Sequence, residues 1–202
     1  GAPIEGTVCT YLVPLWGAGS DLTKGGKLNL DTREARQPFQ LYGRMKQAGV
    51  LPKNIAEIPT DRIRIDMQAG NLLFAMSWGY VWNRLENDAD SKVKGQIGVA
   101  RLPHDQGGAS ATCIGGWQVA VTAFSKNKQE AVKFARYLSS PEVSKMQAIL
   151  ASHLPVFPSV YRDPDVLKAN PWFADALQVI ESAKARPVTH QYPQEYDANR
   201  RN

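Results

Sequence analysis

The sequence predicts an α/β fold, in which short buried strands alternate with amphipathic helices. Residues 71–77, NLLFAMS, form a short and continuously apolar run, which is typical of a strand buried on both faces. Residues 127–152 carry the apolar spacing of a helix. A length of 202 residues allows one good core or two small ones, and 43% hydrophobic residues argue against wholesale disorder.

The N-terminal part of the sequence predicts a helix, a short strand and a second helix. Residues 8–16 have helical apolar spacing, and Gly17 follows as a stop signal. Residues 26–31 are predicted to form a short strand. Asp31 and Glu34 have the spacing of a capping box at the start of the second helix. The expected buried face of that helix consists of Phe39, Leu41, Tyr42 and Met45.

The rest of the chain continues the alternation. A helix is expected to begin at Gly79, and strands are expected over residues 94–103 and 116–124. Within residues 127–152, Ser140 is predicted to cap a second helix that Pro141 begins. Two further helices fit the segment that follows. The chain begins and ends abruptly, so we expect it to be part of something larger.

The charge pattern bears on the class of partner. The net charge is +5, but the basic residues are spread out and largely alternate with acids. A mixed, solvated surface is therefore preferred to a nucleic-acid interface. No apolar run approaches the roughly 18 residues that a membrane span requires, so no membrane insertion is expected.

The chain contains two cysteines, Cys9 and Cys113, outside any CxxC pair, and its three histidines lie far apart. A metal site therefore has little support, and no cofactor is expected. On the cysteines alone, two buried thiols and one long-range disulfide are about equally supported.

Signals for catalysis are scarce. The sequence contains no GxSxG, no P-loop, no HExxH and no GxGxxG after a strand. A glycoside hydrolase would need two carboxylates converging on one pocket, and nothing points to such a pair. The sequence therefore predicts a protein that is not an enzyme, with a carbohydrate-active enzyme as the alternative.

Aromatic residues lie where predicted elements end. Trp78 and Tyr80 follow the apolar run, and Trp117 begins a predicted strand directly after Gly115 and Gly116. Ligands usually bind at the ends of strands in an α/β sheet, so we interpret these residues as pocket walls. For the tryptophans on apparent helices we expect core packing; these are Trp16, Trp82 and Trp172.

Flat aromatic walls beside glycine backbone suit a sugar. The C–H faces of a sugar ring stack on aromatic rings, and its hydroxyls bond backbone N–H groups and forked guanidinium groups. Arg186, followed by the rigid Pro187, could supply such a guanidinium. The alternative for Arg186 is an ordinary arginine that complements a helix C-terminus.

Together these segments resemble the C-terminal half of the extracellular solute-binding proteins of ABC sugar importers, in particular the trehalose/maltose-binding branch. The resemblance runs from about Glu5 to about Tyr192. The segments that carry it, in order, are QAGNLLFAMSWGYVWNRL, IGVARLP, IGGWQVAVTAFSKNKQEAVKFARYLSSPEVSKMQA, LPVFPSVYRDPDVLKANPWF and ARPVTHQY.

The resemblance implies a periplasmic-binding-protein-like fold of type II, in which two α/β lobes close on a sugar. Residues 1–103 would be the α/β portion of the C-terminal lobe. Residues 104–140 would form the hinge crossing and a strand–helix segment of the N-terminal lobe. Residues 141–202 would return as helices to the C-terminal lobe and end in the tail.

The resemblance also implies residue roles. Trp78 and Tyr80 match the family's stacking aromatics. Gly115, Gly116 and Trp117 match its Gly-Gly-Trp wall. Arg186 matches the arginine that hydrogen-bonds sugar hydroxyls, and Tyr192 is a weaker match. Gly79 departs from the family pattern, in which proline is common at this position.

The implied protein binds a di- or oligosaccharide similar to trehalose, maltose or sucrose and delivers it to the permease subunits of an ABC importer. It would be a monomer without catalytic activity, exported to the periplasm or the cell surface. Because disulfides persist in those compartments, the resemblance favours a bridge between Cys9 and Cys113.

Overall fold

The structure, a computed structural model, describes residues 5–55 and 57–187. These residues form eight α-helices, one short 3₁₀ helix and a two-stranded hairpin. In chain order the elements are α1 (Glu5–Gly17), β1 (Thr23–Lys24), β2 (Lys27–Leu28), α2 (Arg33–Gln47), α3 (Thr60–Gln68), α4 (Val81–Asn87), α5 (Lys128–Leu138), α6 (Pro141–Ala151), the 3₁₀ helix (Val160–Arg162), α7 (Pro164–Ala169) and α8 (Phe173–Glu181).

The chain divides into two compact units. Unit 1 contains the chain up to Ile63, the segment Ala100–Gly115 and the chain from Val179 onward. Unit 2 contains Arg64–Val99 and Gly116–Gln178. The lobe boundaries predicted at residues 103 and 140 are not tested by this division and stay predictions.

Unit 1 is built around α1, which packs against α2. Trp16 is 2% exposed, as expected for a core tryptophan, and its indole N–H donates to Asp21 Oδ1 at 3.1 Å. The side chains of this core cluster are Val8, Cys9, Leu12, Val13, Leu15, Trp16, Leu22, Ala35, Ala111 and Cys113. Segments distant in sequence therefore share one core with the first helix.

The helix α2 begins one residue later than the capping box predicts. Thr32, in extended backbone, accepts a hydrogen bond from Ala35 N at 3.1 Å, so Thr32 and not Asp31 is the N-cap. The predicted buried face is also wrong in part, because Phe39 and Leu41 are exposed. The small residues Ala35 and Pro38 are the buried ones, which lets α1 come close. Tyr42 is half-buried, and its hydroxyl donates to Thr10 O at 3.0 Å.

A loop closes over the C-terminal end of α1. Asp105 N donates to Gly17 O at 3.1 Å, and Gly108 N donates to Asp105 O at 3.0 Å. The first bond satisfies the Gly17 carbonyl, which the end of a helix otherwise leaves free, and the second closes the loop on itself. The backbone at Gly108 passes so close to Gly17 that a side chain does not fit there.

Unit 2 is organised by α6, which packs against α4, α5, α7 and the 3₁₀ helix. Its predicted start is confirmed: the side chain of Ser140 accepts from Val143 N at 3.3 Å, and Pro141 is the first helical residue. Lys145 on α6 lies 2.9 Å from Asp163, the N-cap of α7. Hydrogen bonding from Lys145 lowers the pKa of Asp163 below its ordinary value.

A buried polar contact fixes the C-terminal end of α6. Ser152, the C-cap, is buried and adopts a left-handed conformation with φ 52°. Its hydroxyl donates to Asn170 Oδ1, and Asn170 Nδ2 donates to Ala148 O at 2.8 Å. Asn170 is fully buried, and these two contacts give both the oxygen and the nitrogen of its side-chain amide a hydrogen-bond partner.

The predicted strands form little sheet in the described part of the chain. The short strand expected over residues 26–31 is confirmed only as β2, which pairs antiparallel with β1 across Gly25 and Gly26. Both glycines have positive φ, as a two-residue hairpin turn requires. The prediction of strands over 71–77, 94–103 and 116–124 is wrong for the described residues, in which none of these segments pairs with a strand.

These runs form no strand in the described residues and are mostly exposed, since a strand needs a neighbour to complete its hydrogen bonds. Within residues 71–77, Leu73 is 83% exposed and Phe74 is 86% exposed. Apart from the hairpin, the bridging in the described residues is a single parallel contact between Cys113 and Lys184.

Candidate functional site

The turn that carries Trp78 and Tyr80 leads directly into α4 in unit 2. Val81 N donates to Trp78 O at 3.1 Å, and Trp82 N donates to Gly79 O at 3.1 Å. The chain has therefore turned before the helix begins, two residues later than predicted. Trp78 is 39% exposed and Tyr80 is half-buried, so both rings have free surface.

Gly79 lies against the rest of unit 2. A Cβ atom at this position would lie 3.0 Å from Leu154 Cγ and 3.2 Å from Trp172 Cη2. Both distances are shorter than ordinary van der Waals contact. The glycine thus lets the turn pack closely on Leu154 and Trp172, which fixes the backbone between the two aromatic residues.

An aromatic cluster that includes Trp172 packs against this turn. The rings of Trp82 and Trp172 lie 6.1 Å apart, and Trp172 meets Phe173 edge to face at 4.5 Å. Tyr161 extends the cluster, with its ring 5.6 Å from that of Phe173. Trp82 and Trp172 therefore pack as expected. The sequence did not predict that Tyr161 belongs to this cluster, because no local pattern indicates its contact with Phe173.

Two polar atoms of this cluster are buried. The Tyr161 hydroxyl and the Trp172 indole N–H have no hydrogen-bond partner among the described residues. Burial raises the pKa of the Tyr161 hydroxyl well above its ordinary value, so it stays protonated. The cluster is therefore an uncharged support for the turn at Gly79.

Trp117 is 100% exposed, and its neighbours from Ile114 to Ala120 are exposed as well. A Cβ atom at Gly116 would meet nothing within 4 Å. Trp117 therefore packs against no described residue, and its role as a pocket wall stays a prediction. A whole indole face, with open glycine backbone before it, is available for a flat ligand.

Gly115 and Arg186 both lie in unit 1, each two residues beyond the bridge between Cys113 and Lys184. Ile114 N donates to Lys184 O at 2.9 Å, and this bond aligns the two segments. The helix α8 ends at Glu181, five residues before Arg186. The binding role of Arg186 stays a prediction, as does the alternative that it complements the end of this helix. Tyr192 lies outside the described residues.

Cys9 and Cys113 are both buried in the core cluster of unit 1. Arg186 Nη1 lies 3.7 Å from Cys9 Sγ. The predicted disulfide stays a prediction. The link between Cys9 and a site residue 177 positions away could not be read from the sequence.

The part of the chain that the structure describes lacks two other features. It holds no group of three or more histidine, cysteine, aspartate or glutamate side chains placed to bind a metal ion. None of its helices is long and apolar enough to cross a membrane.

Comparisons with known proteins agree on one family. The family described as bacterial extracellular solute-binding protein matches residues 10–175. A "Probable ABC transporter-binding protein" of Deinococcus radiodurans is 36% identical over 192 residues, which cover 94% of this chain and 45% of that protein.

Solved structures give the same result. Maltose-bound MalE3 of T. maritima is 32% identical, with a TM-score of 0.93 over 100% of this chain and 52% of that one. An ABC transporter solute-binding protein of Thermotoga lettingae, bound with α-D-tagatose, is 26% identical, with a TM-score of 0.81 over 98% of this chain and 50% of that one. The chain thus spans about half the length of these relatives. The predicted periplasmic-binding-protein-like fold class is confirmed.

Proposed function

This chain belongs to the bacterial extracellular solute-binding proteins, and we propose that it binds a di- or oligosaccharide for import by an ABC transporter. Two of the similar structures hold maltose and tagatose, which supports a sugar as the ligand. Trehalose, maltose and sucrose are the candidate disaccharides. The family favours binding without chemistry over the alternative of a carbohydrate-active enzyme.

The observation that carries this proposal is the full exposure of Trp117 behind Gly116. The indole offers a flat apolar face directly after glycine backbone, which is the kind of surface on which the C–H face of a sugar ring can stack. A sugar stacked on the indole face would remove apolar area from water. By analogy with aromatic pairs, each such stack contributes roughly a kcal/mol to the free energy of binding.

The other site residues fit complementary roles. Trp78 and Tyr80 would stack on the ligand from the turn before α4. The backbone N–H groups of Gly115 and Gly116 would donate to hydroxyl oxygens. Arg186 would bond hydroxyls with its forked guanidinium, and the proposal keeps Tyr192 as a weaker contact.

We expect Trp117→Ala to weaken binding of the preferred disaccharide by about tenfold, the equivalent of about 1.4 kcal/mol. The free energy of unfolding should stay the same, because the replaced ring is fully exposed. Isothermal titration calorimetry with maltose, trehalose and sucrose, together with urea unfolding, measures both quantities. The matched control is Phe124→Ala, which removes another exposed aromatic ring, 93% exposed in unit 2.

Unchanged affinity in Trp117→Ala would remove this residue from the site. An unaltered chain that binds none of the three sugars would contradict the proposed function for this chain. Release of reducing sugar from oligosaccharides would instead support the enzyme alternative.

The proposal includes the setting in which the protein works. We propose that it is exported to the periplasm or the cell surface and delivers its ligand as a monomer to the permease subunits of the importer. The family is described as extracellular, which supports export.

For an exported protein we expect one disulfide between Cys9 and Cys113, because disulfides persist outside the cytoplasm. Both thiols are buried in one cluster, which supports the pairing. The intact mass of protein isolated without reductant should be lower than the reduced mass by two hydrogens. Two thiols that react with an alkylating reagent in protein unfolded without reductant would contradict the pairing.

A further inference from the structure

One face of α1 presents two side chains that each contact a cation. Cys9 and Trp16 are seven residues apart, which is close to two helical turns, so they lie on the same face about 10 Å apart along the axis. Both are buried in the core of unit 1. The contacted cations belong to Lys184 and Arg186.

The segment of Lys184 and Arg186 runs along this face. Lys184 Nζ lies 5.7 Å from the centre of the Trp16 ring, within the range of a cation–π interaction. Arg186 Nη1 lies 3.7 Å from Cys9 Sγ, the distance of a weak N–H···S hydrogen bond. Lys184 contacts Trp16 near the end of α1, and Arg186 contacts Cys9 nearer its start. The segment and the helix therefore run in opposite directions.

The backbone of this segment is fixed independently. Lys184 N donates to Thr112 O at 2.9 Å, and Ile114 N donates to Lys184 O at 2.9 Å. Arg186 follows the bridged Lys184 by two residues, and both side chains contact α1, so the bridge fixes the backbone from which Arg186 reaches the helix. The backbone is therefore held by residues 112–114, and the guanidinium meets the helix at Cys9.

From this geometry we infer that Cys9 is a positioning residue, which holds the Arg186 guanidinium in the orientation that the ligand meets. The inference rests on the proposed role of Arg186 in sugar binding. A free arginine side chain samples many rotamers, and ordering it on binding weakens affinity. A contact that orders the guanidinium beforehand reduces this loss.

The experiment compares three variants in the presence of reductant, so that no disulfide contributes. Cys9→Ala removes the sulfur, whereas Cys9→Ser keeps a hydrogen-bond acceptor at the same place. The matched control is Val8→Ala, which removes apolar atoms from the neighbouring buried position of the same helix. The affinity for maltose is measured by calorimetry, and hydrogen exchange of the Arg186 Nε–H is measured by NMR.

We expect Cys9→Ala to bind maltose about threefold to tenfold more weakly and to exchange the Arg186 Nε–H faster. Cys9→Ser should retain both properties, and Val8→Ala should change neither. Equal effects in Cys9→Ala and Val8→Ala would overturn the inference, because both would then act through core packing alone. Arg186→Lys identifies the NMR signal, which disappears in that variant.

The two readouts separate this inference from the proposed function. If the unaltered chain binds no sugar, the function fails, but the exchange of the Arg186 Nε–H still decides the positioning role. Faster exchange in Cys9→Ala alone then supports the contact, and unchanged exchange overturns it.

Discussion

Gly108→Ala should destabilise unit 1 by about 3 kcal/mol, at the upper end of the range for overpacking. A Cβ atom at this position would lie 1.8 Å from Gly17 O and 2.8 Å from Gly17 C. These are backbone atoms at the end of α1, so no side-chain rotation relieves the overlap. The loop would have to move away, and the bond from Asp105 N to Gly17 O would be lost with it.

Urea unfolding followed by circular dichroism measures this effect. The control is Gly43→Ala, in the interior of α2, where a Cβ atom would meet nothing within 4 Å. Alanine is a better helix former than glycine, so this control should stabilise the same unit by about 0.5–1 kcal/mol. A Gly108→Ala protein that unfolds at the same urea concentration as the unaltered chain would show that the loop accommodates the methyl group.

Asn170→Ala should destabilise unit 2 by about 2–4 kcal/mol. The substitution leaves a cavity at a fully buried position and removes the acceptor of the Ser152 hydroxyl. Ser152 needs that contact, since it holds a left-handed conformation that serine adopts rarely. The Ala148 carbonyl loses one donor but still accepts from Ser152 N at 3.0 Å.

A double-mutant cycle with Ser152→Ala isolates the contact between the two side chains. The destabilisation in the two single variants should add up to more than that in the double variant. Each single substitution leaves the other polar group buried without its partner, whereas the double substitution removes both groups. Asn87→Ala is the control, an exposed asparagine in the same unit, and should change stability by less than about 0.5 kcal/mol. Fully additive effects would contradict the proposed coupling.

The Asn170 substitution also reaches the candidate site. Trp172 is two residues further along the chain and packs against Gly79, between Trp78 and Tyr80. Loss of order at Asn170 should therefore weaken sugar binding more than the control does. The buried contact thus connects the stability of unit 2 to the position of its aromatic turn.

The helices could be predicted where their ends carry local signals. Ser140 and Pro141 define the start of α6 by their own side chains, and Gly49, with φ 69°, follows the end of α2. The buried face of α2 was harder to predict, because small residues at Ala35 and Pro38 are buried while Phe39 is not. Hydrophobicity alone does not say which side a neighbouring helix approaches.

The strands could not be predicted in the same way, because a ladder depends on a partner that no local pattern names. Of the candidate site, the sequence indicated the aromatic residues and Arg186, whose binding roles remain predictions. It did not indicate what surrounds them. The packing of Trp172 on Gly79 and the contact of Cys9 with Arg186 join residues far apart in sequence, so they follow from the fold and not from spacing.

The exposed apolar run at residues 71–77 affects how the isolated chain behaves in solution. Leu73 and Phe74 expose most of their apolar surface beside backbone that no described strand covers. Such a segment is a template on which another copy can add a strand, so it favours aggregation as concentration rises. A net charge of +5 opposes this by mutual repulsion, and added salt screens that repulsion. Dilute, low-salt buffer is therefore the condition that keeps the chain dispersed.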